Sequence, residues 1–298
     1  MTTAAHPAAS LRTSALRTWT EPVSGPDARG TVVVLVGRGE TPEVYERFGR
    51  RLAADAFRVV AVGEPDPAPQ AVAALLATLP GPHVLVGTDA GALAAARLAR
   101  VLDVAGVVLA GLPTAAGVRS LTWDAELDAR SACPAHQRVL AQATRTSLFA
   151  DVTAIVAADL TDPRDAPLPV PVLALHGEDD RISPTEHAVA AYRTLGARHV
   201  LLVTDGRHDV LNDAAHRTVA GAVVQFLERV RLGGDLPTLV RDVARDAARD
   251  DATPDPPHGT GAPARRAQRR GAPHGRRRRR AVPRARPARR RPADARAR

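Results

Sequence analysis

"HVLVGTDAGALAAARL", residues 83–98, decides how this chain folds. A Val- and Leu-rich run with no polar alternation ends in Gly87-Thr88-Asp89-Ala90-Gly91, and Ala, Leu and Arg follow at helical spacing. An apolar run of that kind reads as a strand buried on both faces, and the segment after it as a helix. The two glycines then flank a sharp strand-to-helix turn, which pushes its central side chain outward. Here that side chain is Asp89. The backbone N–H of Ala90, at the start of the helix, would point into the same space and favour an anion there.

The same rhythm repeats on either side. "TVVVLVG" (31–37), "FRVVAVG" (57–63), "AGVVLAG" (105–111), "VPVLALHG" (170–177) and "HVLLVTDG" (199–206) read as further strands. Amphipathic stretches predict helices near 42–55, 68–79, 90–103, 184–195 and 214–231. Short apolar runs alternating with helices predict an α/β domain: a mostly parallel sheet with helices on both faces. "ALRTWTEP" (15–22) suggests one more strand at an edge. The rhythm breaks between about 113 and 168, where "DAELDARSACPAHQRVLAQA" (124–143) reads as helical. That segment is expected to be a short cap over one end of the sheet, where ligands of open α/β sheets bind. "DLPTLVRDVARDAARD" (235–250) suggests a terminal helix with an Asp cap. The predicted organisation is an N-terminal arm (1–29), an α/β domain (30–250) and a tail (251–298).

Charge separates the tail from the rest. The chain of 298 residues carries a formal +9, and all 41 of its basic residues other than His are Arg. Residues 251–298 hold 16 Arg against three Asp, leaving 25 Arg against 29 acidic residues in a mildly acidic body. The tail is rich in Pro, Gly and Arg, and has too few apolar residues to offset chain entropy, so disorder is expected there. "GRRRRRAVPRARPARRRP" would meet nucleic acid only by charge and without sequence preference, since no aromatic residue is interleaved for base stacking. A single cysteine, Cys133, excludes an internal disulfide framework. The N-terminus lacks an apolar core of roughly 7–15 residues and no run approaches about 18, so neither a signal peptide nor a membrane span is expected, and the cytoplasm is the default location. No phosphate loop or metal-ligand cluster is legible, so no cofactor is implied. Oligomeric state is not legible either.

Two later loops join Asp89. "ALHGEDDRISP" (174–184) places His176 at a strand end with Asp180 four residues on. "VTDGRHDVLND" (203–213) places His208 just after the next strand. In a parallel sheet these strand ends converge on one edge, so Asp180 can fix the tautomer of His208 while the other ring nitrogen moves protons. Chain order is then nucleophile position, acid, base, the order of the α/β-hydrolases. His176 reads as a structural hydrogen-bonder. Cys133 and Ser131 lie in the insertion, away from the turn, and are not read as replacement nucleophiles.

With these residues in view, the chain resembles the α/β-hydrolase superfamily, and within it the monoacylglycerol lipase and lysophospholipase branch (serine aminopeptidase S33-type). That branch carries H-G-x-G-E-x-x-x-x-Y after an early strand. "VGRGETPEVY" matches it at Gly37, Gly39, Glu40 and Tyr45, with Val36 in place of the leading His. "HGEDDRISP" matches its H-G-x-x-D acid loop, and "RHDVLND" its H-E-x-x-N-E base loop with Asp at both acidic positions. The resemblance implies an α/β-hydrolase fold over about 30–232, a catalytic set of Asp89, Asp180 and His208, and an oxyanion hole from the N–H groups of Arg38 and Ala90. Asp89 stands where the branch has serine.

That substitution redirects the chemistry. A carboxylate can attack saturated carbon to give an alkyl ester that water then cleaves, as in haloalkane dehalogenases and epoxide hydrolases. Attack on an ester carbonyl would give an energetic mixed anhydride. Neither Asp-using group matches in detail: Ala90 stands where dehalogenases of this fold usually carry a halide-holding Trp. The only tyrosines, Tyr45 and Tyr192, belong to core-flanking helices rather than the cap, and Trp123 in the cap reads as packing. Three readings stay open: a hydrolase with a covalent Asp89 step, a hydrolase in which Asp89 and His208 activate water directly, and a ligand-binding protein that has lost the chemistry. In all three the expected ligand is a small, modestly apolar molecule.

Overall fold

The computed structural model describes residues 11, 16–20, 28–63, 66–114, 122–143 and 167–240. Seven strands form one sheet: β1 (Leu16–Trp19), β2 (Thr31–Leu35), β3 (Arg58–Val62), β4 (His83–Thr88), β5 (Gly106–Ala110), β6 (Val172–Gly177) and β7 (His199–Val203). Their spatial order is β1-β3-β2-β4-β5-β6-β7. All neighbours run parallel except β1, which adds antiparallel to β3 through the register Leu16↔Val62 and Trp19↔Val59. β2, β4 and β5 are buried along almost their whole length because helices cover both sides.

Strand periodicity sorts the core into two layers. Val32, Val34, Val84, Val86, Val108 and Leu173 face one layer, where α1 (Glu46–Ala54) and α7 (His216–Leu232) contribute Phe48, Leu52, Val223 and Phe226. Val33, Leu35, Leu85, Val107 and Ala174 face the other, with α2 (Pro69–Leu76), α3 (Ala90–Leu98) and α6 (Thr185–Thr194). Val36 packs into the first layer, so the place of the branch's histidine is filled by an apolar core contact.

Among its described residues, the insertion holds two helices, α4 (Trp123–Arg130) and α5 (Pro134–Ala143), with the Thr122 side chain accepting from the Ala125 N–H at 3.4 Å to cap α4. Residues 115–121 and 144–166 lie outside the described set, as does the tail at 251–298. The helix expected from Asp235 does not start there: residues 236–240 are irregular. Pro237 disfavours the helical region for Leu236, which takes φ 51° instead. The rest of that expected helix, 241–250, is outside the described residues. No helix among the described residues is long and apolar enough to cross a membrane.

The chain leaves β2 towards β3 on one side and returns to β4 on the other. The loops after β2 and β4 therefore diverge at the carboxyl edge of the sheet, and a crevice opens between them. Arg38 follows β2 and Asp89 follows β4. The pairings Leu35↔Gly87, Thr88↔Ala110 and Gly177↔Val203 bring these strand ends level, so loops from four strands meet there.

Candidate active site

Asp89 sits between β4 and α3 with φ 51° and ψ −126°, a region L-residues seldom occupy. Its neighbours enforce the turn. A Cβ on Gly91 would lie 2.1 Å from the Leu35 carbonyl oxygen, and one on Gly87 the same distance from the Gly91 carbonyl oxygen. Only glycine allows strand and helix to approach so closely. The Asp89 N–H donates to the Ala110 carbonyl at 3.0 Å and its carbonyl accepts from Ala92 at 2.9 Å, which fixes the turn against β5 and α3.

Three of the residues singled out from the sequence form one hydrogen-bonded row. His208 Nδ1 lies 2.8 Å from Asp180 Oδ2, and His208 Nε2 lies 3.2 Å from Asp89 Oδ1. Asp180 is itself oriented, because its Oδ1 accepts from the N–H groups of Ile182 at 2.8 Å and Ser183 at 2.9 Å. His176 stands behind this row, with Nε2 3.2 Å from Asp180 Oδ2 and 2.7 Å from the Ser183 carbonyl, and Nδ1 3.2 Å from the Tyr192 hydroxyl. Burial lowers its pKa, as suits a neutral ring. Tyr192, on α6, also accepts from the Leu112 N–H at 2.9 Å.

Arg38 contributes more than its backbone. The Arg38 N–H donates to Asp89 Oδ2 at 2.9 Å. The guanidinium also closes on the same carboxylate, with Nε 2.6 Å from Oδ2 and Nη2 2.7 Å from Oδ1. Ala90 is buried at the first position of α3, beside Asp89.

Electrostatics follow from this packing. Burial opposes ionisation of Asp89, but the Arg38 guanidinium and His208 outweigh it and hold the carboxyl well below 3.8. Burial also opposes charge on His208, yet Asp180 and Asp89 on its two nitrogens push its pKa up to about 10. Donating to both carboxylates requires both ring N–H groups, which only the imidazolium has. The resting site is thus a buried chain of alternating charge: Asp180, His208, Asp89, Arg38.

A second buried network lies beside it. Arg130, the last residue of α4, donates from Nε to Asp209 Oδ2 at 2.9 Å and from Nη2 to Asp209 Oδ1 at 3.1 Å. It also pairs with Glu40, which accepts from the Gly37 N–H at 3.0 Å and from the Tyr45 hydroxyl. The Asp209 N–H donates to the Arg130 carbonyl at 2.9 Å, and His136 Nε2 lies 3.1 Å from Asp209 Oδ2. Burial raises the Glu40 pKa; Asp209, though buried, is brought down to about 2 by Arg130 and His136. Ser131 donates to Asp213 Oδ1 at 2.8 Å, and Arg47 reaches Cys133 Sγ at 3.5 Å. Trp123 is half-buried at the start of α4.

Sequence reading missed the Arg38 side chain and the Arg130 network. Arg38 sits at an unspecified motif position, and Arg130 is separated from Asp209 by 79 residues with no periodicity linking them. Among the described residues, no group of three or more His, Cys, Asp and Glu is arranged to hold a metal ion. A cavity of about 520 Å³ between Pro167–Val172 and Gly196–His199 opens at the opposite, N-terminal edge of the sheet, and none of Arg38, Asp89, Asp180 and His208 lines it.

No protein-family model matches the chain, and no curated protein is similar to it in sequence. Solved structures are similar in shape. A soluble variant of monoglyceride lipase from Saccharomyces cerevisiae, in complex with a substrate analogue, superposes with a TM-score of 0.58 at 13% identity, over 72% of this chain and 91% of that one. The monoacylglycerol lipase of Paleococcus ferrophilus gives 0.56 at 17% identity, over 71% and 97%. A thermophilic esterase from Thermogutta terrifontis gives 0.55 at 20% identity, over 72% and 94%. With the sheet order and helix layers described above, these likenesses establish that the chain has the α/β-hydrolase fold.

Proposed function

We propose that this protein is a hydrolase that uses Asp89 as a covalent nucleophile toward saturated carbon, with Asp180 and His208 as its acid–base pair. The two Asp89 oxygens occupy different settings, and that difference carries the reading. Oδ2 rests on the backbone N–H of Arg38, where the carbonyl oxygen of an ester would be held. Oδ1 faces His208 Nε2, on the side from which water would be activated.

In the first step an Oδ1 electron pair forms a bond to the substrate carbon, and the bond from that carbon to its leaving group breaks. A halide leaves with the bonding pair; an epoxide oxygen leaves as an alkoxide and takes the Nε2 proton of His208. The resulting alkyl ester is neutral, so His208 loses one of the two anions that sustain its charge and its pKa falls; where a halide has left, the ring releases its Nε2 proton to solvent. Once neutral, it accepts a proton from water, whose oxygen attacks the ester carbonyl. The Arg38 and Ala90 N–H groups would stabilise the oxyanion formed at Oδ2. On collapse His208 gives the proton taken from water to the departing alkoxide, which leaves as the alcohol, and the carboxyl so formed on Asp89 passes its proton to His208, restoring the carboxylate. The high pKa of the resting imidazole therefore suits a base needed only in the second half-reaction. The fold neighbours include a monoglyceride lipase and an esterase, which supports hydrolysis as the reaction class.

His208→Gln should stop the second step alone. Incubated with small alkyl halides and epoxides, that variant is expected to accumulate an alkyl ester on Asp89, found by peptide mass spectrometry. A folded His208→Gln protein that carries no ester on Asp89 with any of them would refute a covalent step and leave the ligand-binding reading in its place.

A further inference from the structure

His208 stands on irregular backbone. Between β7 and α7, residues 204–215 form neither helix nor strand, so no regular ladder of hydrogen bonds sets the place of the ring. Yet the ring has little room to move. Its Nε2 lies 3.2 Å from Asp89 Oδ1, at the outer end of the range for a sound N–H···O bond, so a small drift away from Asp89 would break the contact. Elements outside the loop must hold it.

The residues on either side of His208 are both tied to the end of α4. After it, the Asp209 N–H donates to the Arg130 carbonyl at 2.9 Å, and the Asp209 carboxylate accepts the Arg130 fork. Before it, Arg207 Nη1 donates to the Asp128 carbonyl, to the Asp128 carboxylate and, at 3.2 Å, to the Ser131 carbonyl. The last carbonyls of a helix have no partner within it. Here the base loop supplies donors to those of Asp128 and Arg130, and the Arg207 cation suits the negative end of the helix dipole. The join is reciprocal: the loop caps the helix, and the helix fixes the loop. Asp213 closes it from further along the loop. Its Oδ2 accepts the Arg207 N–H at 2.8 Å, while its Oδ1 accepts from Ser131 at 2.8 Å and from the Ala132 N–H at 2.6 Å.

We propose that Arg207 is a positioning residue for His208: its side chain anchors the base loop to the end of α4 and so keeps the ring between Asp180 and Asp89. Asp209 is secured twice over, by its backbone and by a buried ion pair, so the side before His208 is the one that depends on a single side chain. The role rests on His208 being the acid–base residue of the proposed reaction. It holds whether Asp89 forms an ester or only pairs with the ring. The insertion, expected from the sequence as a cap, then also frames the base.

The test is an NMR titration of the His208 ring in the full-length protein, wild type against Arg207→Met, which keeps the bulk of the stem and loses the donors. The sign of the change separates positioning from charge. Removing a cation near the imidazolium can by itself only raise the midpoint, whereas a ring that drifts from its two carboxylates titrates lower. Arg207→Met is expected to lower the midpoint by about one unit or more, the scale of a lost carboxylate contact, while a cooperative thermal transition shows that the protein is folded. A folded Arg207→Met protein with an unchanged or raised midpoint would overturn the role and leave the paired site standing. If that variant does not fold, Arg207→Lys decides in its place. The charge stays and the fork is lost, so the midpoint is again expected to fall, and an unchanged midpoint overturns the role. A wild-type midpoint near 6.5 overturns the pairing itself, and the positioning role with it.

Discussion

In the proposed mechanism the chemistry turns on a single exchange, carboxylate for hydroxyl, at Asp89. A serine there would need His208 as a base before attack, whereas an aspartate needs it only afterwards, and the charges around the ring agree with the second order. His208 lies between Asp180 at 2.8 Å and Asp89 at 3.2 Å, and its pKa rises to about 10. Its ring carbon proton is therefore expected to titrate by NMR near pH 10, and in Asp89→Asn the midpoint should fall by at least one unit, since one of the two anions is gone. A wild-type midpoint near 6.5 would show that the two carboxylates do not hold the imidazolium above neutral pH. The same shift has a consequence for stability. Because the folded pKa is raised, the stabilisation from this cation is complete below pH 6.5 and is lost as the pH climbs through about 10. Asp89 behaves in the opposite sense: with a lowered pKa it stabilises above pH 3.8, and that contribution disappears as acid protonates it.

Among the elements, α4 links the insertion to the loops that carry Arg38 and His208. Its last residue, Arg130, pairs with Asp209 in the base loop and with Glu40 in the loop that carries Arg38. Both partners are buried, so removing the guanidinium strands two carboxylates away from water. Arg130→Met is expected to destabilise the protein by about 3–5 kcal/mol in chemical denaturation. A loss below about 1 kcal/mol, the level of an exposed pair, would mean that the network is hydrated. The pH sense is again fixed: Asp209, lowered to about 2, stabilises above pH 3.8 and stops doing so as the pH falls toward 2. The pairing in this network was not legible in the sequence. Glu40, Tyr45 and Asp209 stood out as motif positions, but an ion pair across 79 residues has no spacing to betray it. The Arg38 side chain was hidden for a related reason. Its place in the motif concerns the backbone N–H, whereas its guanidinium pairs with a carboxylate 51 residues away in sequence.

For the molecule as a whole, the sheet was the most legible feature, because strands covered on both faces must be apolar throughout. β2, β4, β5 and β6 fall within the apolar runs at 31–37, 83–88, 105–111 and 170–177, shorter by one or two residues at four of their eight ends. Boundaries were less legible where a local constraint overrode propensity, as at Leu236 before Pro237. The three loops that carry Asp89, Asp180 and His208 could be ordered from the sequence because each follows a strand of one parallel sheet, and parallel strands deliver their ends to one edge. Whether that edge is an assembled hydrolase site is tested most directly by placing a serine there. Asp89→Ser puts a hydroxyl on the turn, releases the Arg38 N–H from a carboxylate acceptor and leaves Asp180 as the one carboxylate on His208. The account predicts that Asp89→Ser hydrolyses an aryl ester such as p-nitrophenyl acetate, that wild-type protein does so at least about tenfold more slowly, and that adding His208→Ala abolishes the gain. A folded Asp89→Ser protein with no esterase activity above Asp89→Ala would contradict it.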